Sequence, residues 1–280
     1  MPPPPKSLDE LARSLLANGP VRTLAAAPKR VRVRLGGTYV ADTTRAVYIW
    51  EHAYYPSYYL PLDAFAEGAL SYPGSSSSSS EGGSKRRDAE RGYELATLSA
   101  GGVSTDRAIV FLRGSGSGSV LGGLVRVEFG AADAWFEEDA RVDVHPKDPF
   151  KRVDVVFSTR RVRVLVSGAE VARAEACFHL YETGLPVRFY LPATAVRADV
   201  LRESETVTAC PYKGEANYYD VVLDGEEGGG GGERLRDLVW YYRNPKMECA
   251  AIAGCLCFYN EKVDIELDGE MLERPKTQFS

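Results

Sequence analysis

The run Cys210-Pro211-Tyr212-Lys213-Gly214-Glu215 places a thiol, an ammonium and a carboxylate within six residues. Proline and glycine in such a run turn the chain, and a turn can present several polar side chains together. An ammonium close to a thiol favours the thiolate, which is the nucleophilic form. Glu215 can orient Lys213 or act as a base. The competing reading is structural: a buried cysteine ahead of a turn, with Lys213 and Glu215 as a surface ion pair.

Further polar and aromatic residues can complete a site. Glu182 closes an apolar run, Phe178 to Tyr181, and either anchors a hydrogen-bond network or enters a pocket. Arg188 and Tyr190 are two residues apart and share a face if extended. Tyr219, Trp240 and Tyr242 supply aromatic walls, or core. Cys249, Cys255 and Cys257 lack the paired Cys-x-x-Cys spacing of a zinc knuckle and read as small buried thiols. His179, inside an apolar run, reads as a satisfied core residue. His52 and His145 have no triad partners in the sequence.

These residues need strands to hold them. In Arg30-Val31-Arg32-Val33-Arg34-Leu35 the apolar residues alternate with arginine, the period of a half-buried strand. Gly36-Gly37 then supplies the positive φ angles of a tight hairpin. The pattern returns at Arg161-Val162-Arg163-Val164-Leu165-Val166. At a constant spacing of 131 residues, Arg30 matches Arg161, Gly37 matches Gly168, and Glu51 matches Glu182. Tyr59-Leu60-Pro61 matches Tyr190-Leu191-Pro192 in the same register. Chance similarity of two hairpins would not reproduce the glutamate and the Tyr-Leu-Pro together, so the chain reads as a duplication.

Ahead of the first copy, Ser7 and Glu10 form a capping box for a short helix with Leu8, Leu11, Leu15 and Leu16 on one face. Gly19-Pro20 ends it. Segments 73–92, with its serine run, and 226–233, with five glycines, read as expanded loops, the first disordered. Gly114-Ser115-Gly116-Ser117-Gly118 reads as a hairpin tip; a phosphate loop would need a lysine in register and a helix start. Pro146 and Pro149 stiffen a connector. The expected division is an extension over 1–27, a first β domain over 28–144, a connector over 145–160 and a second β domain over 161–275.

Composition narrows the partners. The 280 residues carry a formal net charge of -5, which argues against a broad nucleic-acid footprint. No apolar stretch has bilayer length. Met1 followed by Pro2 to Pro5 lacks the pattern of a secretory signal. Five cysteines, all in the second half, read as reduced thiols. The expected location is cytoplasmic or nuclear.

Cys210-Pro211-Tyr212-Lys213-Gly214-Glu215-Ala216, Trp240-Tyr241-Tyr242, Ala250 to Gly254 and the block Cys257 to Asp264 resemble the domain of unknown function 427 family. The stretches Trp135 to Asp139 and Val142 to Asp154 resemble its tandem form. The resemblance implies a compact, mainly antiparallel fold, with a two-sheet tent as one form of it. Some labels of the family say nucleotidyltransferase-like, but the expected machinery, a Gly-Ser pair followed by spaced aspartates that hold two magnesium ions, is missing from this sequence. The first copy lacks the Cys-Pro-Tyr-Lys-Gly motif, which points to a structural or regulatory copy.

The expectation is therefore a mainly β protein of two tandem antiparallel β domains with a short N-terminal helix. Its second domain binds a small polar molecule in a polar-aromatic pocket. The ligand-binding candidates are Glu182, Arg188, Tyr190, Cys210, Lys213, Glu215, Tyr219, Trp240 and Tyr242, with no metal ligands. The sequence identifies neither a cofactor nor a catalytic residue. Two alternatives stand beside this: a nucleotidyltransferase-like group-transfer enzyme using the same pocket, and a protein–protein adaptor. The expected state is a monomer with internal pseudo-symmetry or a weak dimer.

Overall fold

A computed structural model describes residues 7–25, 29–72, 91–114, 120–223 and 233–277. The expected disordered insertion falls almost wholly outside the described residues, as do most of the Gly/Ser tip and the glycine run. The chain divides into two compact units, Met1–Asp148 and Pro149–Ser280.

The first unit opens with helix α1 (Leu8–Asn18), whose capping box joins Ser7 and Glu10 in both directions. Then follow β1 (Arg22–Ala25), β2 (Val31–Leu35), β3 (Thr38–Thr43), β4 (Val47–Trp50), β5 (Ser57–Pro61) and β6 (Leu70–Ser71). β7 (Tyr93–Ala100), β8 (Val103–Phe111), β9 (Leu124–Val127), β10 (Ala134–Glu137) and β11 (Ala140–Val142) complete it. A seven-stranded sheet runs β1-β4-β5-β9-β8-β7-β6, and a four-stranded sheet runs β11-β10-β2-β3.

The second unit repeats this plan. Its strands are β12 (Val153–Ser158), β13 (Val162–Val166), β14 (Ala169–Ala174), β15 (Cys177–Glu182), β16 (Arg188–Leu191) and β17 (Leu201–Cys210). β18 (Gly214–Leu223), β19 (Glu233–Tyr242), β20 (Leu256–Phe258), β21 (Asp264–Leu267) and β22 (Glu270–Met271) follow. The sheets are β12-β15-β16-β20-β19-β18-β17 and β14-β13-β21-β22. Read strand for strand, the two orders are the same in both units. All named strand pairs are antiparallel.

Alternation explains the layers. Val31, Val33 and Leu35 are buried between the two sheets of the first unit, as are Val162, Val164 and Val166 in the second. The arginines between them are not simply solvated: the Arg32 guanidinium lies 4.7 Å from the Tyr39 ring centre. Each large sheet has a second apolar face. In the first unit α1 covers it with Leu8, Ala12 and Leu15, packed with Ile49, Tyr59 and Ile109. In the second unit the 3-10 segment Met247–Ile252 covers it, burying Cys249 and Ile252.

Two hairpin tips of the first unit meet back to back. Gly36 has φ 56° and Gly101 has φ 55°. A β-carbon on either would overlap the backbone of the other tip, whereas one on Gly37 would meet nothing within 4 Å. Both the φ and the contact require glycine at 36; only the φ does at 37, where φ is 75°. Gly36→Ala is therefore expected to cost about 2–3 kcal/mol and Gly37→Ala about 1 kcal/mol. Urea unfolding midpoints of the two variants check this, and equal losses would refute the close approach.

Candidate functional site

On the strands of the second large sheet, successive side chains alternate between two faces. Phe189, Leu191, Val239 and Phe258 point into the core between the sheets. Leu180, Tyr190, Tyr218, Trp240, Tyr242 and Cys257 point to the other face. Three of the four aromatic candidates, Tyr190, Trp240 and Tyr242, thus share one layer. The Trp240 indole Nε1 donates to the Tyr190 hydroxyl at 3.0 Å, and the Tyr190 and Tyr242 ring centres are 6.5 Å apart. Burial holds both phenols above their ordinary range. Tyr219 is not in this layer. It lies on the opposite face of β18 and stacks on Tyr241 at 5.0 Å.

Glu182 is the last residue of β15 and faces the same side as Leu180. The turn between β17 and β18 brings Lys213 to it. That turn is fixed by the Lys246 N–H donating to the Lys213 carbonyl at 3.0 Å. Lys213 Nζ donates to Glu182 Oε2 at 2.5 Å, and Lys151 Nζ lies 3.0 Å from Glu182 Oε1. Lys151 also sits 5.7 Å from the Tyr212 ring centre.

The charge state follows from these contacts. Burial pushes the Glu182 carboxyl up, but the Lys213 and Lys151 ammoniums outweigh it and hold the group below the usual carboxylate range. Burial pulls the Lys213 ammonium down, but the Cys210 sulfur, Glu182 and Cys249 outweigh it and hold it above its ordinary value. Two ammoniums thus share one carboxylate beside a partly exposed thiol.

Glu182, Lys213, Cys210 and Tyr190 are therefore drawn toward one face, and Glu215 is not. It stands opposite Ala209 in the β17–β18 ladder, exposed and on the other side of β18 from Ala216. Arg188 joins the layer, but its charge is taken: two bonds of 2.7 Å run to Glu261, and its guanidinium lies 5.5 Å from the Trp240 ring centre. The Thr277 hydroxyl also donates to Glu261. Sequence reasoning missed Lys151 and Glu261. Glu261 lies within the family-like block Cys257 to Asp264 and Lys151 within the family-like stretch Val142 to Asp154, which were the available signals; neither carries a periodic one. His179 is buried as expected but not satisfied, since its Nε2 has no hydrogen-bond partner among the described residues.

The first unit answers the same problem differently. Tyr59 pairs with Arg126 across β5 and β9, where Tyr190 pairs with Cys257 across β16 and β20. Arg126 reaches Glu51 with Nε at 2.9 Å, and the Tyr59 hydroxyl donates to Glu51 at 3.1 Å. The cation of the first unit thus comes from a sheet strand, and those of the second from a turn and a connector.

Both large buried carboxylates of the second face, Glu182 and Glu261, are engaged by cations. That donor set does not suit a pair of magnesium ions. Among the described residues no group of three or more His, Cys, Asp or Glu is arranged to hold a metal. A concavity of about 100 Å³ in the second unit involves Val187, Asn260 and Leu272 and includes none of the nine candidate residues.

These features define a duplicated antiparallel β protein whose second copy alone carries the Cys-Pro-Tyr-Lys-Gly turn. The chain belongs to the family of the domain of unknown function DUF427, whose model matches residues 23–84 and 154–269. No curated protein matches it. Among the described residues no helix is long and apolar enough to cross a membrane.

Proposed function

We propose that the second unit binds a small polar molecule with an anionic group, at the Lys151–Glu182–Lys213 end of the aromatic layer. The observation that carries this reading is the two-to-one ratio of ammoniums to carboxylate at a mostly buried position. Burying an uncompensated charge is costly, and an incoming carboxylate or phosphate oxygen relieves that cost. Lys151 is the accessible member, with 23% of its side chain exposed. It gives an anion its first contact, while Tyr212 supplies an apolar wall.

The test is native mass spectrometry of protein purified without added metabolites, followed by thermal shifts with a panel of small carboxylates and phosphates. A bound anion in the wild type, lost in Lys151→Met and Lys213→Met, is the expected result. No bound species and no shift with any of the panel would reject the proposal.

A second reading, group transfer at the same place, rests on Cys210 beside Lys213. It requires that the bound molecule be turned over and that Cys210→Ser abolish turnover while retaining binding.

A further inference from the structure

On the outer face of the first unit's small sheet, β2 presents Arg32 and Arg34. Ala134 and Phe136 of β10 flank them on one side, Tyr39 and Asp42 of β3 on the other. The shared ladder gives the equivalent positions of the second unit. Arg163 and Leu165 stand for Arg32 and Arg34, Asp264 and Glu266 for Ala134 and Phe136, and Glu170 and Arg173 for Tyr39 and Asp42. The second unit thus sets three carboxylates among two guanidiniums, and both Glu266 and Glu170 engage Arg163. In the first unit an alanine, a phenylalanine and a tyrosine occupy those three places, and Arg34 occupies the place of a leucine.

The remaining charges of this face are engaged, except one. Asp42 accepts from Arg30. Arg32 donates to Asp139 and to the Glu138 carbonyl, each at 2.5 Å. The Arg34 guanidinium lies 5.7 Å from the Phe136 ring centre. Its buried Nε has no hydrogen-bond partner and no carboxylate pairs with it among the described residues. The Phe136 and Tyr39 rings meet edge to face at 5.8 Å, with the Arg32 guanidinium over both. A guanidinium held on a ring is set for an oxyanion, because little side-chain freedom remains to be lost.

We propose that this face docks an acidic segment of a partner protein, with an Asp or Glu carboxylate on Arg34 and a neighbouring apolar side chain against Tyr39. Charge complementarity selects the carboxylate. Tyr39, 43% exposed and directly across the ladder from Arg34, supplies the apolar contact. Tyrosine and arginine are among the residues that most often dominate protein–protein contacts. A nucleic acid offers a phosphate at every step, which one unpaired guanidinium on a chain of net charge -5 does not match. Side chains standing on a sheet face form a shelf, whereas small-molecule sites are concave.

Selection from a random peptide library on the immobilised full chain tests the proposal. Enriched peptides should carry Asp or Glu next to an apolar residue and bind Arg34→Gln about tenfold or more weakly. Tyr39→Glu restores the carboxylate that the second unit has at that position. It should engage Arg34 from within the sheet and abolish binding, with the thermal midpoint kept. Arg163→Gln, the matching change in the second unit, should leave binding unchanged. No enrichment, enriched peptides without an acidic residue, or equal binding to the wild type and Arg34→Gln would each overturn the proposal. Competition by free acetate or inorganic phosphate as strong as by the peptides would mark a small-anion site and overturn it as well.

Discussion

Glu182→Ala is expected to destabilise the second unit by about 3–5 kcal/mol, the usual loss when one partner of a buried ion pair is removed. The loss falls mainly on Lys213, 13% exposed against 23% for Lys151. Lys151 can turn to water; Lys213 has less room to do so. The double variant Glu182→Leu with Lys213→Met removes both charges and should recover much of the loss. Urea unfolding followed by Trp240 fluorescence measures both. A double variant no more stable than the single one would show that packing, not charge, governs this position.

The pH dependence has a definite sign. The folded-state value of Glu182 is depressed below the ordinary carboxylate range. Its contribution to stability is complete above about pH 4.5, the ordinary value, and is lost as pH falls through the depressed one. Glu182→Gln should therefore flatten the acid limb of the Tm profile. Glu261 and Glu137 are depressed in the same way and will leave part of that limb in place.

The second large effect concerns the thiols. All five cysteines are free. Burial pushes Cys177 and Cys249 up to about 11 from an ordinary 9.0, leaving each with about 100-fold less thiolate at neutral pH. Cys257, fully buried, is pushed higher still, and burial raises Cys255 as well. Cys210 is partly exposed and lies within the field of Lys213. Iodoacetamide at neutral pH should modify the partly exposed Cys210 faster than the buried Cys249, and Lys213→Met should slow it. A peptide-level mass-spectrometric time course decides this. Comparable rates at all five thiols would return the Cys-Pro-Tyr-Lys-Gly turn to a purely structural role.

Much of the scaffold was legible because it rests on short-range patterns. The Ser7–Glu10 capping box, the Val-x-Val-x-Leu alternation and the repeated Tyr-Leu-Pro each depend on neighbours within a few residues. Glu182, at a strand end, and Lys213, in a turn, both stood out by residue type, and the fold brings them into contact. What was not legible depended on parity and on third elements. Tyr218 and Tyr219 are chemically alike, so nothing local tells which faces the core. The pairing of Cys210 with Gly214 settles that, and it turns Glu215 and Tyr219 away from Cys210. Lys151 reaches Glu182 only because β12 pairs with β15 and carries its N-terminal flank alongside. Glu261 meets Arg188 from 73 residues away in sequence.

The exchange of Arg126 for Cys257 at one sheet position also bears on which strands can pair. Tandem copies of one fold are prone to strand exchange while folding, since each half can accept the other's strands. If β20 docked on β5, Cys257 would face Tyr59 and Glu51 would be buried without its guanidinium. If β9 docked on β16, Arg126 would add a third cation beside the two already on Glu182. Each error leaves unbalanced charge in a desolvated place and costs several kcal/mol. The divergence of the two charge arrangements therefore penalises any strand that pairs with the wrong half.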